Sequence, residues 1–406
     1  MSIDDVIAKS SFSMLEGKID ARILKVLKSM GFERPTRIQA ETLPHLLQQK
    51  DLIGAAKTGS GKTLAFLIPI VDNLIKHKIT QKHGTFCIIL SPTRELALQT
   101  FDVLTKLLVE IDLSHCLIVG GEKKAKDVIK LQKANRQTVL FSATIDSKVK
   151  NLARLALRNN PVHISVKDDT ISTVSRLQQG YCICPVEQRL AWLYKMLKKS
   201  KKFKVMVFFS SCKSVDFHYE FFKMHCKATV LSIHGKQSQA RRKEAYHSFI
   251  KAKNGALFCT DVAARGLDIP CVDWIVQYDP PTDPKEYIHR VGRTARGLNN
   301  KGNAVILLRP EEEEFVKFLE KEKVYLDKYS FGDPPGEVQE MVEDIVIKNG
   351  VFKILARKAF LSFLRCYNKH PLNKIFNINN MDLKSAAKAF GFREQPDVDF
   401  LNNKKR

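Results

Sequence analysis

The chain has 406 residues, 44% hydrophobic and 27% charged, and its 67 Lys and Arg against 43 Asp and Glu leave a formal charge of +24. Such a composition excludes a disordered or fibrous protein and predicts two or three globular domains of roughly 100 to 200 residues each. The longest purely apolar stretch, residues 65–71, contains Pro69 and is far below the roughly 20 residues of a membrane span. No secretory pattern opens the chain, and nine cysteines without a CxxC pair fit neither a disulfide framework nor a zinc site. A soluble protein of a reducing compartment is expected, and a charge this large points to a polyanionic partner, most simply nucleic acid.

In chain order, residues 51–54 read as a strand that runs into Ala56-Lys57-Thr58-Gly59-Ser60-Gly61-Lys62-Thr63. This is GxxxxGK[ST] with Ala for the first Gly, and the apolar helical run 64–75 follows it. The backbone N–H groups of such a loop cradle phosphate oxygens at a helix N-terminus. Lys62 would reach the β- and γ-phosphates and Thr63 would ligate Mg²⁺, so nucleotide binding is the strongest single expectation. Strand-like runs at 86–90, 117–119 and 139–141 each lead into a short polar string: Pro92-Thr93-Arg94-Glu95-Leu96-Ala97, Gly120-Gly121 and Ser142-Ala143-Thr144. The carboxyl ends of strands are where open α/β sheets place ligands.

A polar stretch at 165–178 reads as a linker, and beyond it strand-like runs recur at 205–209, 230–233, 256–258, 274–276 and 305–308. Alternating strand and helix predicts an α/β protein of two lobes, each a parallel sheet covered by helices. Thr260 and Asp261 follow the run 256–258, and Arg293 and Arg296, three apart on an expected helix, would share a face. The lysine run 198–204 reads as a solvated helix end, with an import signal or a phosphate patch as the alternatives. After residue 311 the pattern is helical. By segment, residues 1–170 carry +9, 171–310 carry +14 and 311–406 carry +1, so the middle segment holds most of the basic excess.

Together these strings resemble the DEAD-box family of ATP-dependent RNA helicases, which implies two tandem RecA-like lobes. Residues 31–39, with Arg34 and Gln39, resemble the family's adenine-reading Q motif, with Phe12 as its upstream aromatic. The loop 56–63 resembles motif I. The resemblance makes Pro92, Thr93, Arg94, Gly120, Gly121, Gln239, Arg242, Thr260 and Asp261 RNA contacts. It brings Gly266 and Asp268 toward the nucleotide and makes Arg293 and Arg296 the arginine fingers. ATP and Mg²⁺ are the implied cofactors. Residues 363–392 are similar to the carboxyl extension of the nucleolar subgroup that assists ribosome assembly, which implies pre-rRNA as partner, a nucleolar location in the nucleus, a monomer and no membrane. The expected divisions are 12–166, 177–325 and a helical extension, 326–395. The extension would cap the second lobe or carry a separate RNA or partner site at Arg365, Tyr367 and Lys369.

The chain departs from the family at its naming motif. No Asp-Glu-Ala-Asp and no Thr-Pro-Gly-Arg string occurs, and only 20 residues separate Gly121 from Ser142. They hold an expected helix (123–133) and strand (138–141), whereas a further βαβ unit would need roughly 30 more residues. A unit is therefore missing near 133–136, and with it the carboxylates that hold the metal and orient the attacking water. The resemblance places the lost strand beside the P-loop strand, so either an interior gap in the first sheet or a re-paired sheet with exposed, unpaired backbone groups is expected. Two functions follow: an ATP-dependent RNA helicase, or a non-hydrolysing form that binds RNA and nucleotide. A P-loop transport or signalling ATPase would leave the Q-motif string and residues 260–268 and 289–296 unexplained.

Overall fold

The computed structural model describes residues 11–56, 59–119, 137–142, 147–157, 161–166, 177–200, 202–226, 229–261, 269, 272–295, 301–330, 332 and 335–398. The chain divides into two compact units, residues 1–169 and 170–406. Among the described residues no helix is long and apolar enough to cross a membrane.

In the first unit a helical turn, Phe12–Leu15, precedes α1 (Ala21–Ser29), α2 (Arg37–Leu47), β1 (Leu52–Ala55), α3 (Lys62–Lys76), α4 (Arg94–Leu107), β2 (Val139–Ser142), α5 (Ser147–Ala156) and β3 (Val162–Ser165). Local chemistry sets the helix starts. The Asp20 carboxylate accepts the Arg22 N–H (2.9 Å), Thr36 and Gln39 form a capping box at α2, and the Thr93 hydroxyl accepts the Leu96 N–H (3.3 Å) at α4. Each occupies a backbone donor that the first helical turn leaves unpaired. Ile23, Leu27, Leu43, Leu67, Ile68, Val71 and Leu107 form the core.

The first sheet has the order β2-β1-β3 and is parallel. Of the two expected outcomes, the interior gap is absent. Ala55 lies opposite Ser142 on one flank and Ser165 on the other, so β1 has a neighbour on each side and no gap opens beside it. The runs 86–90 and 117–119, expected as strands, are extended chain outside the sheet. A strand needs a neighbour for its backbone groups and a covering layer for its side chains. Among the described residues β2 pairs only with β1. Phe86, Ile88, Leu90 and Ile118 are accordingly 49%, 43%, 90% and 72% exposed. The helix expected at 123–133 lies outside the described residues.

The second unit runs β4 (Leu177–Ile183), α6 (Arg189–Lys199), β5 (Lys204–Phe208), α7 (Cys212–His225), β6 (Val230–Ile233), α8 (Gln239–Lys251), β7 (Gly255–Cys259), β8 (Trp274–Gln277), α9 (Pro284–Val291), β9 (Gly302–Leu308), α10 (Glu314–Lys321), β10 (Asp327–Lys328), α11 (Glu337–Lys348), α12 (Gly350–Asn368) and α13 (Leu383–Lys388). Its seven-stranded sheet, ordered β10-β4-β9-β8-β5-β7-β6, is parallel throughout. Every residue of β5 and β7 is buried, as expected for a parallel sheet covered on both faces. All five strands expected here are present.

Three expectations change. The linker is shorter than 165–178, because Ser165 belongs to β3 and Leu177 and Gln178 to β4. Polar Gln178 and Gln179 hid β4 from the apolar pattern, and Gly180 admits the Asp327 carbonyl, which would lie 2.5 Å from a Cβ. In the lysine run Lys204 is buried, donates to the Ile250 carbonyl (2.9 Å) and stands over the Phe249 ring. The carboxyl helices share the core of the second unit: the Phe217 ring lies 5.2 Å from Phe352 and 5.3 Å from Phe390. Tyr367, considered for an RNA face, is buried.

Candidate nucleotide and RNA sites

The phosphate loop grows from the centre of the first sheet. At the end of β1 the Ala56 N–H donates to the Ser142 carbonyl (3.1 Å), which ties the loop to the start of the Ser-Ala-Thr string. Gly59 and Gly61 take φ of +78° and +89°, a left-handed backbone that side chains disfavour. Gly61 is also crowded: a Cβ would lie 2.6 Å from Gln39 Nε2 and 2.8 Å from Thr36 Oγ1. The buried Gln39 amide bridges two segments, donating through Nε2 to the Gly61 carbonyl (2.9 Å) and accepting the Thr36 N–H (2.9 Å). An amide has a second donor hydrogen and a second lone pair, so Gln39 can hold the loop and still recognise a base.

Lys62, the first residue of α3, folds back so that Nζ donates to the Ala56 carbonyl (2.5 Å). The Ser60 hydroxyl is buried without a hydrogen-bond partner, which a phosphate oxygen would supply. The loop therefore fits a nucleotide triphosphate. Thr63 follows in the first turn, half-buried. Mg²⁺ keeps several waters and is usually held by one or two carboxylates plus substrate phosphates. Among the described residues no group of three His, Cys, Asp or Glu could hold a metal. Phe12 is buried in the core, its N–H donating to the Glu33 carbonyl (3.2 Å), and Arg34 is exposed. Pro92 is exposed beside the Thr93 cap. Lys57, Thr58, Gly120, Gly121 and the Arg94 side chain lie outside the described residues.

In the second unit the expected RNA contacts gather beyond the carboxyl ends of adjacent strands. Thr260 follows β7, and Gln239 opens α8 after the neighbouring β6. Both bring buried, unpartnered oxygens there: Thr260 Oγ1 and Gln239 Oε1. Arg242 lies three residues further along α8. Asp261 is clamped by Arg290, whose Nε and Nη2 donate to its two carboxylate oxygens (2.5 and 2.7 Å). That guanidinium stacks 5.2 Å from the Phe208 ring centroid and donates through Nη1 to the Asp279 carbonyl (2.7 Å). Burial pushes the Asp279 carboxyl above the ordinary range, and Arg189 and the Ser210 N–H offset that only in part. Burial opposes charge on His234, but the Asp216 carboxylate at 2.8 Å outweighs it and pushes the imidazole up to about 9.

The helical face expected for Arg293 and Arg296 is absent. α9 ends at Val291 and the chain leaves it through Ala295 at φ +53°, so the α-helical spacing does not extend to Arg296. Arg293 is buried and donates to the His289 carbonyl (3.2 Å). Arg296, Gly266 and Asp268 lie outside the described residues. Sequence reasoning passed over Arg290, although it stands in the same His-Arg-Val-Gly-Arg string.

Comparison with known proteins bears on this geometry. Residues 36–135 match the family described as DEAD/DEAH box helicase, 188–297 the helicase conserved C-terminal domain, and 350–398 the ATP-dependent rRNA helicase SPB4-like C-terminal extension. The chain is 41% identical to DEAD-box ATP-dependent RNA helicase 51 of Arabidopsis thaliana, over 92% of this chain and 75% of the relative. The chain belongs to the DEAD-box family of ATP-dependent RNA helicases. It is also 43% identical to the human ATP-dependent RNA helicase DDX18, over 97% of this chain and 67% of that one. The fold resembles that of Mss116p bound to ssRNA and AMP-PNP, with a TM-score of 0.77, 24% identity, and 98% of this chain and 94% of that chain covered.

The alignment with DDX18 spans 451 positions, whereas 97% of 406 residues is about 394, so about 57 positions (451 − 394) have no counterpart here. That exceeds one minimal βαβ unit. The family match to the first unit ends at residue 135.

Proposed function

We propose that this DEAD-box protein remodels RNA duplexes or ribonucleoproteins during ribosome biogenesis, in rRNA processing, and works in the nucleolus of the nucleus as a monomer. The observation that carries the ATP side is the joint between Gln39, Gly61 and Lys62, with the orphaned Ser60 hydroxyl beside it. In this reading Lys57, Thr58, Gly59, Ser60 and Gly61 wrap the phosphates, Lys62 neutralises them and Gln39 reads adenine. Phe12, Arg34, Gly266 and Asp268 complete the nucleotide contacts. Mg²⁺ would arrive with ATP, held by its phosphates, water and the Thr63 hydroxyl, and would neutralise the charge that develops on the transferred phosphoryl group. Arg293 and Arg296 serve as the arginine fingers. RNA lies on Pro92, Thr93, Arg94, Gly120, Gly121, Gln239, Arg242, Thr260 and Asp261, contacts that position a backbone without reading its sequence.

A second reading, nucleotide and RNA binding without hydrolysis, is favoured by one observation: the chain lacks the Asp-Glu-Ala-Asp string. Losing a preorganised electrostatic group lowers turnover by about 100-fold or more. RNA-stimulated ATPase activity measured beside Lys62→Ala separates the two. Turnover that the substitution abolishes supports the helicase; equal background rates in both proteins overturn it in favour of the binding form.

A further inference from the structure

A row of buried charged groups leads from the carboxyl extension to the Asp261 clamp. On α12, the Tyr367 hydroxyl donates to Glu312 Oε1 (2.8 Å) and accepts from Arg309 Nη2. Arg309 Nε donates to that same Glu312 oxygen (2.8 Å), while Arg189 Nη2 donates to Oε2 (3.3 Å). Arg189 Nη1 then lies 3.7 Å from Asp279 Oδ1 and donates to the Tyr278 carbonyl (3.2 Å). The Asp279 carbonyl receives Arg290 Nη1, and Arg290 holds Asp261. Glu312, Arg189, Asp279, Arg290 and Tyr367 are all buried.

Three arginines (Arg189, Arg290, Arg309) face three carboxylates (Glu312, Asp279, Asp261), so the row is charge-balanced. Burial alone would push the Glu312 carboxyl up, but Arg189 and Arg309 outweigh it and hold it below the usual range. Well-packed apolar side chains often serve stability as well as a buried ion network does. What such a network adds is fixed geometry, since each partner that moves leaves the next unsatisfied in a low-dielectric interior. Two further contacts bring the extension to the strand ends: Cys366 Sγ donates to the Ser210 carbonyl (3.5 Å), and His370 Nε2 lies 3.1 Å from the Pro281 carbonyl.

We propose that Tyr367 is a positioning residue through which the carboxyl extension sets the Arg290–Asp261 clamp, acting by way of Glu312, Arg189 and Asp279. The effect on RNA rests on the reading that Thr260 and Asp261 face RNA; the coupling itself does not. Tyr367→Phe in the full chain removes one hydroxyl and keeps the ring between Phe363 and Phe376. The first readout needs no RNA: the exchange rate of the Arg290 Nε–H by NMR, assigned with Arg290→Lys. Tyr367→Phe should speed that exchange about threefold or more, while Phe363→Leu, adjusted to an equal loss of melting temperature, leaves it at the wild-type rate. Glu312→Gln, of the same shape, should act in the same direction as Tyr367→Phe.

The second readout is a double-mutant cycle on RNA affinity. Tyr367→Phe should weaken binding about threefold and Asp261→Asn about tenfold, and the double variant about tenfold rather than thirtyfold, because sites without coupling would multiply. An unchanged Arg290 exchange rate, or a double variant as weak as the product of the two, overturns the proposal. A wild-type chain that binds no RNA overturns the RNA reading instead, and the exchange rate then decides the coupling alone.

Discussion

In the second unit all five strand-like runs between residues 205 and 308 join one parallel sheet, whereas in the first unit two of the three runs that follow the phosphate loop stand outside it. The two sets look alike as sequence: Phe86, Ile88 and Leu90 are as apolar as Val205 and Val207. What separates them is company. Val205 and Val207 in β5 have β7 on one side and β8 on the other, while the first sheet ends at β2. Strand propensity is a preference for a pleated, half-covered surface, and it is not realised where that surface is missing. The phosphate loop is built on the central strand of the first sheet, which has a partner on each side.

The largest expected effect tests the better-built unit. Arg290→Ala leaves the Asp261 carboxylate without its clamp and should lower the stability of the second unit by about 3–5 kcal/mol. Both tryptophans, Trp192 and Trp274, lie in that unit, so urea unfolding followed by their fluorescence reports on it alone. A loss under about 1 kcal/mol would mean that this unit does not depend on its buried charges.

Next comes acid. His218 packs on Phe209 and Tyr278, and burial pushes its imidazole down to about 3. The unfolded chain binds a proton at this position below pH 6.5, and the folded unit does not until about pH 3. Stability is therefore full above pH 6.5 and declines as the pH falls toward 3, by on the order of 5 kcal/mol for this one group. The tryptophan signal should show a shallower decline in His218→Phe, and equal slopes would contradict the assignment.

A smaller effect sharpens the comparison from the other side. Gly61→Ala places a Cβ at φ +89° against Gln39 and Thr36, at a cost of about 1–3 kcal/mol. It should weaken binding of an ATP analogue about tenfold or more while RNA affinity in the absence of nucleotide is unchanged; a parallel loss of both would show the two sites to be coupled at rest. The smallest effect concerns the exposed edge. Leu90→Lys should shift stability by less than about 0.5 kcal/mol in thermal melting, because Leu90 is almost fully exposed; a loss above about 1 kcal/mol would show that the run 86–90 is packed.

Much of this was legible in the sequence where chemistry is local. The spacing of Gly59, Gly61, Lys62 and Thr63 gave the loop, and the runs at 205–209 and 256–258 gave the buried central strands of the second sheet. The Q-motif string placed Gln39 near nucleotide chemistry, but not its bond to Gly61, which joins residues 22 apart. The long-range features were not legible. Arg189 and Glu312 drew no reading and Tyr367 was considered only for an RNA or partner face, because nothing local signals that folding buries them together. The order of the first sheet was not legible for the same reason: the pairing of β1 with β2 is a contact across more than 80 residues, and no periodicity encodes which strand lies in the middle.

The absent Asp-Glu-Ala-Asp string separates the hydrolysing reading of this chain from the binding one. The RNA-stimulated ATPase rate of this chain, measured against the same chain with a DEAD-box segment of about 57 residues restored between residues 133 and 136, tests this most directly. Restoration should raise kcat by about 100-fold or more and leave RNA affinity unchanged. Equal rates would contradict the account and show that the residues already present perform the hydrolysis assigned to the missing ones.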